Sequence, residues 1–107
     1  GARRALELML LSDTFDAQTA LRLGLVNWVT SAEQLGSETE AIARRLALGP
    51  TLAFGEIKRL VNESPDQTLA AQLEIEIDAF ARCAGTRDFA EGVTAFIEKR
   101  KPVFKGE

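Results

Sequence analysis

The 107-residue sequence has no histidine and no tyrosine, and only one cysteine, one methionine and one tryptophan. Without histidine, and with no base near Cys83 in sequence, the usual nucleophile-and-base pairs cannot be built from this chain. Zinc centres are excluded on the same ground. A lone Cys83 cannot close an internal disulfide, and the opening GARRALELMLL lacks the apolar length and cleavage pattern of a secretory signal. Both absences point to a reducing, cytoplasmic setting. No apolar run approaches the ~20 residues that a membrane-spanning helix requires, so no integral membrane protein is expected. Lys and Arg are scattered outside one short terminal cluster and the net charge is −3, which leaves no basic stripe to track DNA or RNA.

What is present is an ordinary globular composition, 46% hydrophobic and 27% charged, which argues against disorder. The length suits one domain, residues 1–107, expected to bury roughly 65% of its unfolded surface. Residues 2–11 carry a broad apolar face (Ala5, Leu6, Leu8, Met9, Leu10) with Arg3, Arg4 and Glu7 outward, the pattern of a helix buried on more than one side. Asp16 is placed to cap a short second helix that Gly24 ends. Residues 25–29 (LVNWV) read as extended, a strand or strand-like crossing, with Trp28 as a buried anchor. Ser31 and Gln34 form a capping-box pattern for a helix over residues 32–48, stopped by Gly49 and Pro50.

A fourth helix is expected over residues 51–62 with Phe54, Ile57, Leu60 and Val61 inward and Lys58 outward. Ser64, Pro65 and Gln67 then have cap, first-turn proline and box residue in register for a fifth. Leu69, Leu73, Ile77, Phe80 and Ala84 give that helix its apolar stripe, and Thr86 is placed to cap a sixth. The predicted architecture is all-α, about six helices with one short extended segment.

The stretch 88–105, DFAEGVTAFIEKRKPVFK, is the densest in signals. Phe89, Val93, Phe96 and Ile97 share one helical face, read as core, and Pro102 bars the helix from continuing. Lys99 follows Phe96 by three residues. That spacing suits an aromatic plane and an ammonium meeting a nucleotide, and equally a basic helix end in which Lys99, Arg100 and Lys101 answer the helix dipole. Asp88 and Glu91 share a face, but as first-turn acids they read as capping residues and not as an acid–base pair. Glu74, Glu76 and Asp78 alternate by two and splay around their helix as a solvated face.

Three stretches, in order, resemble the C-terminal part of the enoyl-CoA hydratase/isomerase, or crotonase, family. The first 29 residues resemble its helix, turn, short helix and Gly-Leu-Val-Asn signature, and the helices of residues 35–58 match its spacing. Asp88, Glu91, Gly92, Ala95, Phe96, Glu98, Lys99, Arg100, Pro102 and Phe104 match its C-terminal motif. The segment SDTFDA at residues 12–17 departs from the Thr-Gly-acid pattern usual there. The resemblance implies the helical, trimerisation-type domain of the crotonase fold without the spiral ββα domain that carries the oxyanion hole and the catalytic acids, so no residue here is assigned a catalytic role. The parent of such a domain would add water across the α,β-double bond of an acyl-CoA thioester. Isomerisation or another family reaction, or a non-enzymatic helical interaction module, is the alternative.

Coenzyme A would enter as part of the substrate, with no prosthetic group and no metal. Phe80 and Phe96 would lie near the adenine and Lys99 near a phosphate. The parent is expected to be a homo-oligomer, a trimer or hexamer. This chain alone is expected to self-associate through the apolar faces of residues 2–11 and 25–29.

Overall fold

The computed structural model describes residues 1–107. Six helices follow one another: α1 (Ala2–Leu11), α2 (Ala17–Arg22), α3 (Leu35–Ala47), α4 (Thr51–Glu63), α5 (Leu69–Ala84) and α6 (Arg87–Ile97). A single 3₁₀ turn, Ser64–Asp66, separates α4 from α5, and there is no strand. The all-α expectation holds. The chain divides into two compact units, residues 1–38 and residues 39–107.

In the first unit, the carboxylate of Asp16 accepts the amide of Thr19 at 2.8 Å and starts α2 as the sequence predicts. Gly24, at φ 72°, ends it: its amide bonds Leu21 O at 3.0 Å while that of Leu25 bonds Ala20 O at 2.9 Å. That pair of bonds is the Schellman closure, which needs a left-handed residue between them. Residues 25–29 make no strand, because every other ordered element is helical and offers no edge to pair with. Trp28, expected as a buried anchor, is 64% exposed.

Ser31 does accept the amide of Gln34, at 3.3 Å, but residues 32–34 form a turn and α3 begins only at Leu35. The predicted start at Ser64 is also displaced. Ser64 Oγ donates to Val61 O at 3.2 Å, satisfying an orphan carbonyl at the end of α4, and Pro65 lies in the 3₁₀ turn. Gln67 is extended, and Thr68 caps α5 by accepting the amide of Ala71 at 3.2 Å. Thr86 caps α6 as predicted, accepting the amide of Phe89 at 3.1 Å.

In the second unit, Glu56 of α4 binds Arg82 of α5 through two bonds of 2.9 Å and also accepts Arg59 on its own helix. Ala79 and Ala95 are the buried apolar residues. The apolar stripe Leu69, Leu73, Ile77 and Phe80 of α5 is exposed; on α4, of the four residues read as inward, Ile57 and Val61 are exposed while Phe54 and Leu60 are half-buried. On α1, Ala5 and Leu8 are half-buried and Leu6, Met9 and Leu10 are exposed.

The accessible surface is 8808 Å², against about 5,900 Å² for a compact monomer of this mass. Folding therefore removes about half of the unfolded chain's surface and not the roughly 65% expected from length. Most of the large apolar side chains on the helices stand exposed, and only Ala79 and Ala95 among apolar residues are buried.

Candidate functional site

An apolar groove of about 390 Å³ runs between the start of α4, the end of α5 and one side of α6. Pro50, Leu52 and Ala53 line one flank; Phe89, Gly92, Val93 and Phe96 line the other; Cys83 and Thr86 lie where α5 gives way to α6. Phe104, from the segment after α6, completes the wall. The face Phe89, Val93, Phe96 and Ile97 was read as core, and that reading is corrected here. The buried residues of α6 are Asp88, which also lines the groove, and Ala95, while Phe96 is 85% exposed on the groove. Helical periodicity identifies a shared face but not what covers it.

Of the three residues implied as nucleotide contacts, Phe96 is in the groove wall. Phe80 stands next to that wall, its ring edge-on to Phe89 with centroids 6.0 Å apart and planes at 89°, a favourable aromatic geometry. Lys99 lies beyond α6 with φ 55°, in the left-handed region. The basic cluster does not act as a simple dipole cap. Lys99 is the left-handed closing residue, with its amide on Phe96 O at 3.3 Å and that of Arg100 on Ala95 O at 3.0 Å. Arg100 turns back to Glu91, with bonds of 2.6 and 2.8 Å, and to Glu98 at 2.6 Å. Arg100 holds the Glu91 carboxyl down at about 2, helped by the amide of Val103.

Asp88 and Glu91 were read as first-turn caps; Thr86 does that work and the two acids do something else. Asp88, 4% exposed, accepts the amides of Lys105 at 2.7 Å and Gly106 at 2.8 Å. Its own amide donates to Glu107 O at 3.0 Å. Glu91 accepts the amide of Val103 at 2.8 Å. A buried carboxylate is tolerated when hydrogen bonds replace its lost water, and here backbone amides of the chain's end supply them. Sequence reading missed Phe104 as a wall residue and missed this anchoring. The available signal was a run of backbone-rich, proline-broken sequence following two acids on one helical face.

Elsewhere, Glu74, Glu76 and Asp78 are exposed, and so is Lys58. No cluster of three His, Cys, Asp or Glu side chains stands close enough to hold a metal ion. No helix is long and apolar enough to cross a membrane.

Fold and groove together define an all-helical chain with open apolar stripes and an aromatic-walled groove at its last helix. A profile of the enoyl-CoA hydratase/isomerase family matches residues 1–107. The chain belongs to that family, the crotonases. It is 39% identical over 108 residues to the 1,2-epoxyphenylacetyl-CoA isomerase of Escherichia coli, covering 100% of this chain and 41% of the relative. It is also 39% identical over 104 residues to the crotonyl-CoA hydratase of Syntrophomonas wolfei, covering 97% and 40%. The crystal structure of an enoyl-CoA hydratase from Polaromonas sp. JS666 superposes with a TM-score of 0.87 at 37% identity, over 96% of this chain and 40% of that one. The chain thus spans about two fifths of the length of the relatives it matches.

Proposed function

We propose that this chain is the helical C-terminal part of an acyl-CoA-transforming crotonase, serving as its assembly element and as the cover over the coenzyme A moiety. The observation that carries this reading is the last helix. Phe96 stands open on an apolar groove, and the next turn of chain brings a cation, Lys99. An aromatic face and an ammonium close to it in sequence are groups that suit a nucleotide bearing phosphates. Membership in a family whose relatives are named for CoA thioesters supports the ligand class. Reaction type stays at the level of hydration or isomerisation of an acyl-CoA, because both kinds of name occur among the relatives.

Assembly is supported by surface area. The chain exposes about 2,900 Å² more than a compact monomer of its mass would, and a standard specific interface buries about 1,600 Å² in total. That surplus exceeds the roughly 800 Å² that each partner gives to such an interface.

The test is calorimetric titration of coenzyme A into the 107-residue chain, with Phe96→Ala and Lys99→Ala in parallel. Saturable binding weakened by about tenfold in each variant is the expected result, the loss due to one stacking or charge-assisted contact. Binding of equal strength in all three proteins would sink the assignment of these two residues.

A further inference from the structure

We infer that residues 100–107 form a strap that makes one wall of the groove, and that Asp88 and Glu91 are the positioning residues that hold it shut. This goes beyond the proposed ligand and does not depend on it.

The strap leaves α6 at Lys99, and three bonds to Asp88 and Glu91 come from strap amides: Val103 to Glu91, then Lys105 and Gly106 to Asp88. Arg100 adds a two-pronged ion pair to the same Glu91, and Arg87 binds Glu107 at 2.8 Å. The far end reaches α4. A Cβ on Gly106 would stand 2.5 Å from Thr51 Oγ1, so the backbone there is pressed against the first residue of α4, and its φ of 76° suits glycine. The strap therefore spans from α6 to α4, the two helices whose side chains make the groove's flanks. Phe104 sits within this span, close enough to Gly92 that a Cβ added there would stand 3.6 Å from its ring.

Two features separate this from an ordinary pinned end. Asp88 is nearly fully buried, and a carboxylate there is costly unless its amide partners stay in place. Phe104 contributes its ring to the groove, so releasing the strap removes a wall and not only a tail.

Cys83 lines the same groove and is the chain's single thiol, so its rate of modification by a water-soluble aryl disulfide reads the groove's exposure in the intact chain. Phe104→Ala is expected to speed modification. Asp88→Asn, which leaves one of the two strap amides without its charged acceptor, is expected to speed it as well. Lys101→Ala, an exposed strap position, is expected to leave the rate unchanged. Far-UV circular dichroism must match the parent's in each case. If Asp88→Asn loses helix, Val103→Pro takes its place, since it removes the amide that Glu91 accepts and lies outside every helix. A parent-like rate in Phe104→Ala or in the strap variant overturns the inference, and so does an equal acceleration in Lys101→Ala.

Discussion

Replacing Lys99 with glycine should make this chain more stable and, under the proposed function, weaken its binding of coenzyme A. Two helices close with the same pair of backbone bonds, α2 through Gly24 at φ 72° and α6 through Lys99 at φ 55°. A side-chain-bearing residue in the left-handed region costs about 1–2 kcal/mol. Glycine relieves that but gives the unfolded chain extra freedom, which costs about 0.5–1 kcal/mol. The difference leaves Lys99→Gly stabilised by about 0–1.5 kcal/mol, centred near 0.75, a rise of about 3 °C in Tm at that centre for a chain of this size. Thermal unfolding followed by circular dichroism measures it. A lower Tm would refute the reasoning, because it would mean that the lysine side chain contributes more than its backbone strain costs. The proposed function predicts that the same variant binds coenzyme A about tenfold more weakly, the value of one charge-assisted contact.

Acid should loosen the second unit in a defined window. The Glu56 carboxyl is held at about 2 by Arg82 and then Arg59, and the Glu91 carboxyl at about 2 by Arg100 and the Val103 amide. Depressed folded-state values stabilise the fold fully above the ordinary value of 4.5, and the contribution drains away as pH falls from 4.5 towards 2. Glu56→Gln and Glu91→Gln should each flatten that fall in urea midpoints measured between pH 5 and about 2; slopes identical to the parent's would contradict the pairings. Thr86→Ala removes the oxygen that accepts the Phe89 amide. It should lower stability by about 1 kcal/mol, read as a shift in urea midpoint at unchanged slope.

Wherever a signal was local, the sequence was readable. Asp16, Thr86 and Gly24 occupy the helix ends they were expected to occupy, because a cap needs only neighbours within a turn. The start of α5 was misplaced by a few residues for the same kind of reason. Ser64 and Thr68 are both competent caps, and Ser64 is drawn backwards to the last carbonyls of α4. The choice between two adequate local partners is made by which orphan group is nearer, and composition does not carry that.

Burial was the part that sequence could not rank. Leu69, Leu73, Ile77 and Phe80 make a regular stripe, as do Phe89, Val93, Phe96 and Ile97, yet both stand open while Ala79, Asp88 and Ala95 are covered. Periodicity reports which residues face the same way; only packing decides whether anything stands opposite. The candidate site shows the same division. Spacing put Phe96 and Lys99 on one helical face, but α6 ends at Ile97 and Lys99 has a left-handed backbone, so only Phe96 stands in the groove wall.

The sequence by itself determined that this chain is helical, where most of its helices begin and end, and that it lacks the residues for a zinc centre or a histidine-based nucleophile. Those properties depend on residue type and on contacts a few positions apart. Tertiary structure alone decided that Asp88 and Glu91 bind amides 12 to 18 residues away, that Phe104 becomes a groove wall, and that the stripes remain uncovered. Each of these needs two distant segments brought together, and no local rule fixes which segments meet.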